Sequence, residues 1–460
     1  MESLKVSIIL AAGEGTRMKS KLPKVLHPVA GKSVLSYVVD NCIANEMGKN
    51  VVIVGHKAEK VREAFEDWDV IFREQPVGPG IPYGTGFAVK SAMDEFCDED
   101  LVLILTGDTP LFQKETIGNF LNYVEEKDFD GCVLTAIVNN PFGYGRIIRK
   151  ENSQIVGIVE EKDASDKEKA ITEVNTGVFA FKGSALRNTL DRLETNNSQK
   201  ELYLTDVVKL LVSDGKSVGG YIIGNEEEML GINSRIQLCR CEEVMRRRIN
   251  EKHMENGVTF LDPASTVVDA GVEIGRDSVL YPGVILQGNT IIGEDVTLIG
   301  STRIFNSKIG NGCVIDNSCI EQSVVENEVT IGPYAHLRPN SQLMDGVHIG
   351  NFVEVKNSIV GEKTKAGHLA YIGDGDVGSG VNIGCGVIFA NYNGHKKFRT
   401  VVEEGAFIGS NSNLVAPVKV GKDAYIAAGS TITKDVSEGE LSVERSQQKN
   451  IPGWTSRKNG

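Results

Sequence analysis

The sequence predicts two folds in series: an α/β domain with a mostly parallel sheet over residues 1–231, and a parallel β-helix over residues 255–460, joined by a helix over 232–254. Three observations carry this expectation. Short apolar runs alternate with amphipathic stretches in the first half. A charged stretch free of glycine and proline follows. Beyond Gly257 the aliphatic residues recur at every sixth position.

In the first half the strands are expected at Val6–Leu10, Val51–Gly55, Leu101–Thr106, Cys132–Val138, Ile155–Val159 and Val178–Phe181. The helices between them are expected at Val34–Asn45, Lys57–Glu66, Thr85–Phe96, Lys114–Glu126, Ser184–Leu193 and Thr205–Ser213. Nearly continuous apolar strands separated by helices imply a sheet covered on both faces. Ligands of such sheets lie beyond the carboxyl ends of the strands.

The stretch INSRIQLCRCEEVMRRRINEKHM, residues 232–254, reads as one charged linker helix whose Arg246–Arg248 run forms a solvated face. The period then becomes six: Val268, Ile274, Leu280, Leu286, Ile292, Leu298 and Ile304 follow one another without a miss. In a chain that is 41% hydrophobic, seven such hits have a chance of ~0.002 per starting point. After a slip of phase, a second run covers Val325–Val355 and a third Val402–Ile432. Three runs exclude chance, and neither a helical nor a simple strand period explains them. A hexapeptide repeat is the mark of a parallel β-helix, each six residues forming one flat side of a prism. About ten coils of roughly eighteen residues fit between 257 and 438. The segment Asn391–Phe398 interrupts the repeat and is expected as an extruded loop, where function tends to sit.

Composition narrows the function. The net charge of −13 argues against a nucleic-acid partner. The eight cysteines form no CxxC pair and accompany no histidine cluster, which argues against zinc and for reduced thiols in a cytosolic protein. No apolar stretch approaches the ~20 residues of a membrane helix, and the N-terminus lacks a signal-peptide pattern. The chain is expected to be cytoplasmic and without a membrane partner.

The first strand opens into LAAGEGTRMKSKLPK, residues 10–24. This is no P-loop, because GK[ST] is absent, and no dinucleotide fingerprint, because Met18 stands where a third glycine belongs. Gly13 and Gly15 bare the backbone N–H groups, while Arg17 and Lys24 add positive charge. Together they suit a phosphate.

That loop, with LPKVLHPVAGKSVL after it, resembles the signature of the sugar-1-phosphate nucleotidyltransferases. Gly84-Thr85-Gly86, Gly107-Asp108-Thr109-Pro110, Gly143-Tyr144-Gly145-Arg146, Asn175-Thr176-Gly177, Tyr203-Leu204-Thr205-Asp206 and Ile232-Asn233 follow in order. Joined to hexapeptide repeats, the chain resembles over nearly its whole length the bacterial bifunctional enzymes of UDP-N-acetylglucosamine synthesis. The resemblance implies a Rossmann-like nucleotidyltransferase domain followed by a left-handed parallel β-helix, and a homotrimer. It implies UTP, glucosamine-1-phosphate, N-acetylglucosamine-1-phosphate and acetyl-CoA as substrates, with Mg²⁺ as cofactor.

For uridylyl transfer the resemblance assigns Asp108 and Asn233 to Mg²⁺, and Arg17 and Lys24 to the triphosphate. Leu10, Gly13, Gln75, Gly84 and Thr85 would hold the nucleotide, and Gly145, Glu160 and Asn175 the acetylamino sugar. The segment REQPVGPGIPYGTGFA departs from the family's glutamine-rich stretch, which reads the base, and Gln75 is the glutamine it retains. For acetyl transfer His368 matches the general base. Arg338, Lys356, Tyr371, Asn382, Asn391, Tyr392 and Lys397 match contacts to the sugar phosphate, Lys397 serving a neighbouring subunit. Glu354 would orient His368 or bind the sugar amine, and the sequence leaves both open. Ser410, Ala428 and Arg445 match positions that hold acetyl-CoA, and Cys385 receives no role. A rival reading keeps the nucleotidyltransferase and makes the β-helix a trimerisation or regulatory platform.

Overall fold

Five strands of the first half lie where the apolar runs place them, and the sixth, Val178–Phe181, is the end of a longer one. The computed structural model describes residues 3–78, 80–151 and 154–455, so the last residues of the expected tail, 456–460, lie outside it. The sheet runs Val218–Ile222, Gly131–Ile137, Glu173–Lys182, Leu101–Thr106, Lys5–Leu10, Lys49–Val54 and Ile71–Glu74. Glu173–Lys182 is antiparallel to both neighbours, which makes the sheet mixed. Ile71–Glu74, Arg146–Arg149 and Val218–Ile222 are strands without a sequence signal. The first carries two charges in four residues, and the last contains two glycines. The expected helix at Thr85–Phe96 ends at Lys90, and a single 3₁₀ turn at Met93–Glu95 follows. Lys5–Leu10 and Leu101–Thr106 pair in parallel, so both carboxyl ends open on one edge. There the Gly107 N–H donates to the Leu10 carbonyl at 2.9 Å, tying the two following loops together.

The chain divides into two compact units after Met245. The charged helix runs Arg235–Glu255 and so belongs to both. Its first half places Cys241 and Val244 in a cluster with Met18, Val29, Val34, Leu111 and Ile232. Its second half packs Ile249 on the β-helix core, and the Asn250 amide donates to the carbonyls of Pro263 and Thr266.

The second unit is a left-handed parallel β-helix with flat sides of 11, 10 and 9 strands, about ten coils. One buried aliphatic column fills it, and each such side chain removed from water contributes about 1.5–3 kcal/mol. The phase slips because some sides have five residues: Ile304 to Ile309, Ile315 to Ile320, Ile320 to Val325, Val355 to Val360, and Ile372 to Val377. Within these steps Asn306, Asn317, Gln322, Asn357 and Asp374 have φ of 46, 39, 44, 47 and 52°. One left-handed residue turns each of these corners, as Asp295, Asn340 and Lys363 do on sides of six residues. Asn tolerates that conformation better than most residues. Asn317 also accepts the Ser301 N–H on Oδ1 at 3.0 Å. Asn317→Ala is expected to cost about 1–3 kcal/mol in denaturant unfolding of the second unit, strain and lost hydrogen bond together.

Candidate active sites

In the first unit Gly15 has φ of 62°, and a Cβ there would lie 2.8 Å from the Lys24 Cβ, so only glycine lets the loop close over Lys24. At Gly13 an added Cβ would approach only the Lys24 Nζ, at 3.9 Å, which leaves its backbone open. Met18, in place of a third glycine, is buried in the cluster with Val29 and Val34 and anchors the turn that carries Arg17. Arg17 is exposed and has no ion-pair partner among the described residues.

Lys24 Nζ lies 2.5 Å from Asp108 Oδ2 and 3.1 Å from Asn233 Oδ1. Asp108 follows the strand Leu101–Thr106, and its carbonyl accepts the Ile232 N–H at 2.9 Å, which brings Asn233 alongside. Two side-chain oxygens from distant segments thus converge on one cation. That donor set suits a hard divalent ion.

A cavity of about 950 Å³ opens above, lined by Arg17, Lys24, Thr85, Glu160, Tyr203 and Asn233 among others. Gly84 has φ of 119°, and a Cβ there would meet the Leu202 carbonyl at 2.5 Å. Thr85 Oγ1 accepts the Leu204 N–H at 3.0 Å. The Gly145 carbonyl accepts the Asn175 N–H at 2.8 Å, and a Cβ on Gly145 would reach Glu160 Oε2 at 3.4 Å, so these three residues are neighbours. Gln75 is 3% exposed, does not line the cavity, and its Nε2 has no hydrogen-bond partner. Leu10 is absent from the lining too, its carbonyl being held by Gly107. Sequence reasoning assigned nothing to Glu161, which pairs with the buried Arg146 at 2.6 Å beside Gly145.

Burial raises the pKa of Glu160, although the Thr205 hydroxyl donates to its Oε1 at 3.1 Å. A carboxyl with a raised folded-state pKa favours the fold at low pH and loses that contribution as pH rises through the folded value. At pH 7 the buried charge therefore costs stability. Glu160→Gln is expected to raise the melting temperature of the first unit by a few degrees at pH 7, and not at pH 4, in paired thermal scans.

In the second unit the strand Lys365–His368 pairs with His348–Asn351, and Asn351 is opposite His368. His368 Nδ1 lies 2.8 Å from Asn351 Oδ1. An amide oxygen can only accept, so in this contact the ring donates from Nδ1, and Nε2 lies outside it. Asn351, which the sequence analysis passed over, therefore orients the imidazole. Glu354 instead accepts from Arg338 at 2.9 Å. Its signal lay in the repeat: Asn351, His368, Cys385, Ser410 and Ala428 each stand two residues after a core position, at Ile349, Ala366, Ile383, Ile408 and Ile426. With about 4.8 Å between coils, they form one corner column. Arg445 lies at its far end, its Cδ 3.7 Å from a Cβ built on Gly429.

Glu354 pairs with Tyr371, so Arg338, Glu354, Lys356 and Tyr371 share one flat side beside that corner. Lys397 returns from the extruded loop to Lys356 of the same chain, and that second ammonium holds its pKa below the usual lysine range. Asn391 donates to Asp374 and to the Tyr371 hydroxyl, the latter at 3.5 Å. Tyr392 is exposed and donates to the Gly394 carbonyl, at the loop's tip. Asn382 sits one coil above Lys365.

Residues 7–170 match the family described as the MobA-like NTP transferase domain. Residues 298–377 match the GlmU-like C-terminal hexapeptide, and residues 399–434 the bacterial transferase hexapeptide. The chain is 49% identical to the bifunctional protein GlmU of Clostridioides difficile, over 98% of each chain. It is 48% identical to that of Alkaliphilus metalliredigens, again over 98% of each. The chain belongs to the GlmU family. Membership in the GlmU family implies divalent-metal use in the nucleotidyltransferase unit and small-molecule substrates. Among the described residues no helix is long and apolar enough to cross a membrane.

Proposed function

We propose that this chain acetylates glucosamine-1-phosphate with acetyl-CoA in its second unit. In its first unit it transfers UMP from UTP to N-acetylglucosamine-1-phosphate, releasing pyrophosphate. The observation that carries the reading is the pairing of two built sites in one chain: Lys24 between Asp108 and Asn233, and His368 held through Nδ1 by Asn351.

In uridylyl transfer a sugar-phosphate oxygen attacks the α-phosphorus in line, and charge builds on the departing pyrophosphate. Asp108 and Asn233 would hold Mg²⁺, which neutralises phosphate charge when bound. Lys24 then turns its ammonium to the triphosphate, and Arg17 forks onto its oxygens. Gly13 offers backbone N–H, and Gly84 and Thr85 open the helix at the nucleotide. Gly145, Glu160 and Asn175 bind the acetylamino sugar. In acetyl transfer His368 Nε2 takes one proton from the sugar ammonium and the amine attacks the thioester carbonyl; the C–S bond then breaks, and the second proton lost from nitrogen goes to the departing sulfur, so that CoA leaves as the thiol. Arg338, Lys356 and Lys397 clamp the phosphate, while Tyr371, Asn382, Asn391 and Tyr392 frame the sugar. Acetyl-CoA runs along the corner column over Ser410 and Ala428 to Arg445. The chain works as a homotrimer in the cytoplasm.

Product analysis tests this. Protein is mixed with Mg²⁺, UTP, acetyl-CoA and glucosamine-1-phosphate, omitting one component at a time. CoA release should persist without UTP, and pyrophosphate release should require all four. Pyrophosphate from unacetylated sugar, with no CoA released, would favour the platform reading of the β-helix.

A further inference from the structure

Another side-chain cluster lies on the flat side that carries Arg338 and Glu354, two to three coils below Tyr371. Cys319 and Glu321 alternate on the strand Cys319–Glu321, so both face outward. His336 lies directly above Cys319 in the parallel register. The Cys319 Sγ, a Glu321 carboxylate oxygen and a His336 ring nitrogen all lie within 4.8 Å of one another, and all three residues are partly exposed.

We propose that Cys319, Glu321 and His336 form a binding site for Zn²⁺, separate from the oxygen site at Asp108 and Asn233. Ligands about 2.0–2.3 Å from a tetrahedral ion stand roughly 3.3–3.7 Å apart. His336 Nε2 and Glu321 Oε2 are already 3.4 Å apart. Glu321 is oriented from outside, since Arg303 Nη1 donates to its other oxygen, Oε1, at 3.4 Å. Such outer partners fix a ligand's direction. Thiolate, imidazole and carboxylate suit zinc and do not suit Mg²⁺. Thiolate and carboxylate together supply two negative charges to a divalent ion, and the Arg303 guanidinium, which pairs with Glu321 and neighbours Cys319 in the register, shares them. Three protein ligands leave the fourth position to water.

The test uses the full chain with reduced thiols and no substrate, in excess Mg²⁺ to occupy oxygen sites. Zn²⁺ is titrated by calorimetry, and Co²⁺ is substituted to look for a thiolate-to-metal charge-transfer band. One equivalent should bind, and Cys319→Ser and His336→Ala should each weaken it about tenfold or more. The Co²⁺ band should vanish with Cys319→Ser. Cys97→Ser/Cys239→Ser, which removes the two exposed thiols, should bind as the parent does. Absence of binding, undiminished binding by Cys319→Ser, or loss in the Cys97/Cys239 variant would each overturn the site. All the variants alter outward-facing or exposed side chains, and matching thermal midpoints verify their folding. No reaction is measured, so failure here leaves the two proposed activities standing.

Discussion

His368→Ala is expected to lower CoA release with glucosamine-1-phosphate by about 10²- to 10⁴-fold, the usual contribution of a placed general base. Pyrophosphate release from UTP and N-acetylglucosamine-1-phosphate stays at the parental rate. The protonated amine has no lone pair for the thioester, so it must first give its proton to a base. His368 lies on an outward corner, where truncation opens no cavity in the aliphatic column. The loss is therefore chemical, and an unchanged melting temperature confirms that reading. Asn351→Ala gives a smaller loss in the same assay, because it frees the ring and its tautomer without removing the base. Equal loss of both reactions in His368→Ala would refute the assignment.

Lys24→Ala is expected to have the complementary effect: a drop in pyrophosphate release of about 10²- to 10³-fold, the scale of one lost charge-stabilising donor, with CoA release retained. The ammonium sits between Asp108 and Asn233 at 2.5 and 3.1 Å. It is close enough to exchange those oxygens for phosphate oxygens once a divalent ion takes its place. The Lys24 and Asp108 side chains are only 13% and 15% exposed, so truncation also leaves a half-buried carboxylate without its partner. Some stability is lost with it. A thermal scan that follows the first unit reports whether its fold has survived, and the acetyl-transfer rate of the same sample reports on the second unit alone. If UTP turnover is unchanged in Lys24→Ala, the role of Lys24 falls.

Much of the β-helix was legible because its core obeys one rule. Every interior position needs an aliphatic side chain, and a six-residue side returns it to the same face, so Val268 through Ile304 announce the prism. The rule hides where a corner tightens to five residues at Asn306 or Asn317, since left-handed backbone leaves only a faint mark in composition. In the first unit Ile71–Glu74 and Val218–Ile222 escaped because their strand state comes from neighbours in the sheet. Their strand-favouring Ile71, Phe72, Val218, Tyr221 and Ile222 are diluted by two charges in one strand and two glycines in the other, so neither forms an apolar run.

Gly13, Gly15, Arg17, Lys24, Asp108 and Asn233 could be read as phosphate and metal chemistry from residue type, order and resemblance. That Lys24 occupies the gap between the two oxygens required the carbonyl of Asp108 to hold Ile232 from the far end of the unit. Likewise His368 stood out as a histidine among small residues, but its partner did not, because Asn351 is seventeen residues away. Periodicity reports which way a side chain faces, and it follows from local backbone geometry alone. Which polar atoms meet depends on register between coils and strands, and that register is set by the packing of the whole core.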